Sequence, residues 1–257
     1  MNKRPSDAAA LISTKQSWFA PDWPQPANVR SAITTRAGGA SAAPYGSFNL
    51  AQHVGDVPAH VLANRARLRA ALPNEPRWLR QVHGVSVAEL DSTTADDASA
   101  DAAVTRTQGT VVAILTADCL PVLMCADDGS VVGAAHAGWR GLCNGVIEAC
   151  LGAMRVAPGR LVAYLGPAIS AQAYEVGDDV RNAFLARDPR SAAAFAANAH
   201  GRWQADLYVL ARQRLHGAGV ATIYGGERCT YAERECFFSF RRDGRTGRMA
   251  SLIWIEP

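Results

Sequence analysis

Lysine is nearly missing from this chain. Of 26 Lys and Arg residues, only Lys3 and Lys15 are lysine, and none follows residue 15. That excludes a P-loop lysine, a kinase-type lysine and a Schiff-base lysine from everything after residue 15. Any fixed positive charge that meets a substrate there comes from arginine or a metal ion. Aromatics make up 7% and charged residues 19%; the net charge is only +3 and there is no basic block. A nucleic-acid partner is therefore not expected. No run of about 18 apolar residues occurs, so no membrane span is expected. N-x-S/T sequons are absent, and no G-x-G-x-x-G follows a strand-like run, which argues against a dinucleotide fold. The short apolar run Ala8–Ile12, soon interrupted by Thr14 and Lys15, does not read as a signal peptide. The six cysteines are accordingly expected to be thiols in a cytoplasmic protein.

What is present suits one large globular unit. The chain has 257 residues, 49% of them hydrophobic. A chain of that size buries roughly 75% of its unfolded surface, enough for a core without disulfides. Residues 1–17 read as a tail and 18–257 as a single catalytic domain. Strands are predicted at Val29–Thr34, Trp78–Val82, Val85–Leu90, Val111–Leu115, Val122–Cys125, Val131–Ala135, Leu161–Leu165 and Arg248–Ile255. Helices are predicted from an Asp56 cap and Pro58 to Leu72, over Leu142–Met154, over Asp178–Ala186, and over Asp206–His216 with Gly217 as its stop. Ser191–His200 reads as helix or loop. The strands are short and clustered and the helices do not alternate with them, so the expected class is α+β, mixed sheets flanked by helices.

Three residues stand where this ordinary pattern becomes unusual. His83 lies in Gln81-Val82-His83-Gly84, Cys119 in Ala117-Asp118-Cys119-Leu120-Pro121, and His136 in His136-Ala137-Gly138-Trp139-Arg140-Gly141. Each is placed at a predicted strand end and flanked by small residues, and strand ends converge on one sheet edge. Two imidazoles and a thiolate are a sound ligand set for a borderline-soft divalent ion, with a fourth position left for water. The separations of 36 and 17 residues match no zinc-finger template, so spacing alone leaves buried polar residues as the alternative. A metal-free reading is also open, with Cys119 as nucleophile and a histidine as its base. Asp118 reads equally as a residue orienting a ligand and as a turn former. Arg140, at a helix entrance between glycines, is a candidate anion contact, as is Arg36 before Gly38-Gly39; Arg65 is a third. Cys143 and Cys150, seven apart on one predicted helix, read as core. Tyr174 and the Phe237-Phe238 pair supply aromatics that could stack on a base, with core packing as the competing role.

Thr35-Arg36-Ala37-Gly38-Gly39, Ser47-Phe48-Asn49-Leu50, His53-Val54-Gly55-Asp56, the three motifs above, Gly166-Pro167-Ala168-Ile169, Tyr174-Glu175-Val176-Gly177 and Phe237–Gly244 closely resemble, in that order, the laccase-domain, YfiH-type family. Its members are described as purine nucleoside phosphorylases with adenosine deaminase and methylthioadenosine phosphorylase activities, and polyphenol oxidase is their older name. The resemblance spans about Val29 to Ile255. It implies a single mixed α/β domain and a metal held by His83, Cys119 and His136, zinc with copper as the alternative. The implied partners are a purine nucleoside and phosphate; Arg36, Asn49, Arg140 and Tyr174 are our own candidate substrate contacts, and a homodimer is left open. A multicopper oxidase mechanism cannot be built from one chain, because its mononuclear site and trinuclear cluster consume more than six histidines.

Overall fold

The computed structural model of the protein describes residues 16–91, 93 and 97–257. Its strands in chain order are β1 (Trp18–Phe19), β2 (Val29–Thr34), β3 (Arg77–Trp78), β4 (Val87–Leu90), β5 (Ala102–Thr105), β6 (Val112–Thr116), β7 (Leu120–Ala126), β8 (Val132–Ala137), β9 (Leu161–Leu165), β10 (Glu175–Val176), β11 (Phe195–Ala197), β12 (Trp203–Ala205), β13 (Thr222–Gly225) and β14 (Met249–Ile255). The helices are α1 (Pro58–Arg69), α2 (Trp139–Asn144), α3 (Val146–Met154), α4 (Asp178–Arg187), α5 (Leu207–Gly217) and α6 (Phe240–Asp243). One sheet has the order β1-β2-β14-β6-β3, a second β13-β9-β7-β8-β5-β4, and a small third β10-β12-β11. The α+β expectation holds.

The two large sheets face each other, and strand alternation decides what goes where. Ile33, Val112, Ile114, Ile253 and Ile255 of the first sheet share one core with Ala103, Leu123, Cys125, Val132 and Ala134 of the second. The alternate residues Ala32, Ala113, Leu115, Leu252 and Trp254 pack outward on Phe48, Leu50 and Leu68. On the far side of the second sheet, Val122, Met124, Ala135 and Leu165 meet Ile147 and Cys150 of α3 and Leu210 and Leu215 of α5. Both faces of β7 and β8 are thus covered, which is why every one of their residues is buried. At about 1.5–3 kcal/mol per fully buried large apolar side chain, these two strands anchor whatever sits at their ends.

Several local expectations are corrected. Residues 1–15 of the expected tail lie outside the described residues, but residues 16 and 17 are docked. Ser17 O accepts from the Thr35 amide at 2.9 Å, and Gln16 O accepts from Thr35 Oγ1. Helix α1 ends at Arg69, not Leu72, and its cap position is Val57. Asp56 is instead committed to Ser41 Oγ (2.6 Å), Asn49 Nδ2 (2.9 Å) and the Val57 amide (2.7 Å). The single helix expected over Leu142–Met154 starts at Trp139 and is cut in two at Gly145, where φ is +101°, a value glycine adopts without steric cost. Cys143 and Cys150 therefore belong to different helices, although both enter the same core. Helix α5 runs through Gly217 to a cap at Ala218, so the expected stop lies inside the helix. The strand expected over Val122–Cys125 runs Leu120–Ala126 and so includes Pro121, whose partner is His136. Ser191–His200 divides into the end of a 3-10 turn, Pro189–Ala194, and β11.

Candidate active site

Antiparallel pairing brings four chain segments to one end of the second sheet. β8 pairs antiparallel with both β7 and β5, so the end of β8 lies beside the starts of the other two. β4 runs parallel to β5, which adds the segment preceding β4. Those places hold His136, Cys119, Asp101 and His83. Among the described residues, His83, Cys119 and His136 form the group of side chains able to hold a metal, with one donor atom from each and all three donors within 4.8 Å of one another. Cys119 Sγ lies 3.9 Å from His83 Nε2, and the two imidazoles meet edge to face with centroids 4.7 Å apart. His136 is buried, Cys119 is partly exposed and His83 is exposed.

Asp101 organises this cluster, and nothing in its Ala-rich surroundings marks it in the sequence. Its carboxylate is fully buried. Oδ1 accepts from His136 Nδ1 at 2.8 Å and from the His83 amide at 2.9 Å; Oδ2 accepts from the amides of Val82 at 3.1 Å and Gly84 at 2.7 Å. The bond to Nδ1 leaves His136 Nε2 turned toward Cys119. The three amide bonds hold a turn in which His83 has φ +61°, a left-handed conformation that is costly for a side-chain-bearing residue. Asp118, for which a ligand-orienting role was one of two expectations, is engaged elsewhere: Oδ1 accepts from Thr230 Oγ1 at 2.6 Å and Oδ2 from the Arg241 amide at 2.7 Å.

The electrostatics follow from these contacts. Burial alone would raise the Asp101 carboxyl; the His136 bond and the Gly84 amide outweigh it and hold it at about 2. Burial would likewise raise the Cys119 thiol, but His136 and His83 draw it down to about 6. His136 is disfavoured as a cation by burial and favoured by Cys119 and Asp101, with a net upward shift. A thiolate next to histidines in this order is what a divalent ion requires of its donors. Gly138 keeps the space against them open: a Cβ there would lie 3.0 Å from Cys119 Sγ, 3.1 Å from His83 Cδ2 and 3.6 Å from His136 Nε2. The donor set, its fixed orientation and this gap fit a metal ion.

The three residues line a cavity of about 270 Å³ together with His53, Gln81, Phe240 and Arg248. Gln81 is fixed to β6, its amide donating to Leu115 O and accepting from Leu115 N, both at 2.8 Å. Phe240 is 57% exposed at the rim.

The expected substrate residues are not gathered here. Arg36 lines a different cavity with Arg234 and Glu235, and its Nε and Nη2 donate to Gly46 O while Nη1 donates to Arg234 O. Asn49 is fully buried and its amide is spent on Ala51, Asp56 and the Arg248 amide. Arg140 is exposed and lies over the Trp139 ring at 4.5 Å. Tyr174 sits outside the cavity lining beneath Arg241, 5.2 Å from guanidinium to ring; burial and then the Cys119 charge push its hydroxyl pKa up. Arg65 donates to Leu50 O and stacks on Trp78. Phe237 and Phe238 are both core. His53, Gln81, Phe240 and Arg248 carry no individual signal in the sequence beyond lying in or beside the quoted motifs.

A model of the family described as multi-copper polyphenol oxidoreductase laccase matches residues 30–256. Purine nucleoside phosphorylase YfiH of Escherichia coli (strain K12) is 53% identical over 238 residues, covering 91% of this chain and 97% of that protein. Purine nucleoside phosphorylase PA4543 of Pseudomonas aeruginosa is 48% identical over 241 residues, covering 93% and 99%. Among solved structures, Neisseria meningitidis protein NMB0706 aligns with a TM-score of 0.91 at 49% identity, covering 94% of this chain and all of that one. YlmD from Geobacillus stearothermophilus aligns with a TM-score of 0.86 at 33% identity, covering 94% and 97%.

Proposed function

This chain belongs to the laccase-like family of multi-copper polyphenol oxidoreductase description, and we propose that it is a zinc-dependent purine nucleoside enzyme. It would cleave inosine, adenosine and methylthioadenosine with phosphate and would also deaminate adenosine. The observation that carries this reading is the His83, Cys119 and His136 cluster, oriented by Asp101 at the floor of a cavity, in a chain 53% identical to a relative named purine nucleoside phosphorylase. Six histidines and one three-residue cluster among the described residues disfavour multicopper oxidation. Two imidazoles and a thiolate suit zinc, with copper as the alternative ion.

In phosphorolysis a phosphate oxygen forms the bond to ribose C1′, the C1′–N9 bond breaks, and the purine leaves with the electron pair and takes up a proton. In deamination a water oxygen replaces the amino group at C6 and ammonia leaves. When bound, the ion supplies Lewis acidity at the cavity floor. The chain's own part is positional. Asp101 holds His136 and the His83 turn, Gln81 fixes the wall to β6, and the exposed Phe240 ring offers a face on which a purine stacks.

One observation favours a second reading. The lowered Cys119 thiol beside two imidazoles is also the arrangement of a cysteine nucleophile and its base. Protein purified without chelator separates the readings. Zinc near one equivalent, with inosine converted to hypoxanthine and ribose 1-phosphate only when phosphate is present, supports the first. Turnover undiminished after metal removal supports the cysteine enzyme. Oxidation of catechols by oxygen with nucleosides left intact, and copper as the ion, overturns both in favour of a polyphenol oxidase.

A further inference from the structure

Phosphorolysis must hold a phosphate anion, and the arginines suggested by sequence lie outside the cavity lining: Arg36 and Arg65 donate to backbone carbonyls, and Arg140 is exposed over the Trp139 ring. Arg36 is the clearest case, since each of its three guanidinium nitrogens donates to a backbone carbonyl. The cavity has its own candidate in Arg248, which directly precedes β14. Met249 pairs with Thr116 at the end of β6, so the first sheet delivers Arg248 to the donors carried by the second.

Its backbone is pinned on both sides. The Arg248 amide donates to Asn49 Oδ1 at 3.0 Å, and its carbonyl accepts from the Leu50 amide at 3.3 Å. Of its guanidinium, Nη1 donates to the carbonyls of Thr246 and Gly247, both at 3.0 Å, and the group lies 5.7 Å from the centroid of the Phe240 ring. Nε and Nη2 have no hydrogen-bond partner among the described residues, and no carboxylate forms an ion pair with the group there. Asp118, whose charge reaches it, is already spent on Thr230 and Arg241. Burial lowers the Arg248 pKa, and burial, Arg248 and Arg65 together lower that of His53 on the same wall. A half-buried guanidinium held by two carbonyls, with its Nε/Nη2 edge unpaired among the described residues, has the geometry of a bidentate anion site.

We propose that Arg248 receives the phosphate co-substrate, its Nε–H and Nη2–H pairing with two phosphate oxygens in the cavity that His83, Cys119 and His136 floor. The assignment rests on the phosphorolysis reading and adds the residue that reading lacks. It also gives Asn49 a role, as the residue that positions Arg248 through its backbone rather than as a substrate contact.

The test uses the metal-loaded protein with Arg248→Gln, Arg248→Lys and Arg36→Gln variants. Equilibrium dialysis against labelled inorganic phosphate reads binding without turnover, and initial rates give KM for phosphate and for inosine separately. Arg248→Gln is expected to weaken phosphate binding by about 10- to 100-fold and to raise KM for phosphate in proportion, with KM for inosine and metal content within about twofold. Arg248→Lys keeps the charge but not the fork, so about a tenfold loss is expected from a variant that conserves most of the side-chain volume. The assignment is overturned if both Arg248 variants bind phosphate like the parent while the parent phosphorolyses inosine, or if Arg36→Gln alone loses phosphate. A parent protein that neither binds phosphate nor consumes inosine overturns the phosphorolysis reading and the assignment with it.

Discussion

Replacing Asp101 by Asn tests whether one buried carboxylate governs the centre. The wild-type carboxylate accepts four hydrogen bonds, two on each oxygen. An Asn amide retains one acceptor. With its oxygen toward His136 Nδ1 and the His83 amide, its NH2 faces the Val82 and Gly84 amides, donor against donor. Each buried donor left unpaired costs about 1–3 kcal/mol, so the metal-free protein should lose about 2–6 kcal/mol. That is a large part of the roughly 5–15 kcal/mol typical of a folded domain. The charge gives a related figure. A carboxyl lowered from 3.8 to about 2 corresponds to about 2 kcal/mol of stability. Because the folded value is the lower one, that stability is complete above about pH 4 and is lost as the pH falls through about 2; Asp101→Asn should lack this acid limb. Metal affinity should drop about 10- to 100-fold, because His136 loses the anion that fixes its ring. Urea unfolding of metal-stripped protein at pH 7 and pH 3, with chelator competition for the metal, gives both numbers. A variant with parental urea midpoint and parental metal affinity would refute the role assigned to Asp101.

Four further outcomes are expected. His83→Ala, Cys119→Ala and His136→Ala should each lose most of the metal by elemental analysis while keeping the far-UV circular dichroism of the parent; full metal in Cys119→Ala together with lost turnover would favour the nucleophile reading. Gly138→Ala should weaken metal binding at least tenfold in chelator competition, because its Cβ would meet Cys119 Sγ at 3.0 Å, without changing thermal stability by more than about 1 kcal/mol, since φ −62° suits alanine. In metal-stripped protein, alkylation of Cys119 followed by mass spectrometry should be near its maximum above about pH 7 and fall as the pH drops through about 6, whereas Cys125, pushed up to about 12 by burial, stays unmodified. Phe240→Ala should raise KM for inosine about 5- to 100-fold if the ring stacks on the base, at about 1–3 kcal/mol for such a contact; an unchanged KM removes Phe240 from the site.

The three candidate metal donors, which the structure brings within 4.8 Å of one another, stand out in the sequence because their signal is local. His136 ends the apolar run Val131–Ala135 and precedes Ala137-Gly138, Cys119 follows Val111–Leu115 by a few residues, and His83 precedes Gly84, so each pattern is contained within a few positions. Most strands were readable for the same reason, since alternating and continuous apolar runs report burial directly. The helix break at Gly145 was not, because a lone glycine is compatible with an unbroken helix until the packing of α2 and α3 demands a positive φ. Asp101 and Arg248 were the larger omissions. Asp101 lies 35 residues from the histidine it orients, and Arg248 lies 129 residues from the cysteine whose cavity it lines. Neither sits in a run whose composition marks it. Their placement depends on β5 and β8 pairing antiparallel, and on β14 pairing with β6 so that Met249 meets Thr116. Those registers come from the simultaneous burial of two sheets against each other and against their helices, a sum over residues far apart in the chain. Side-chain periodicity specifies which face of a strand is buried; only the assembled sheets specify which strand ends, and hence which charged groups, share a cavity.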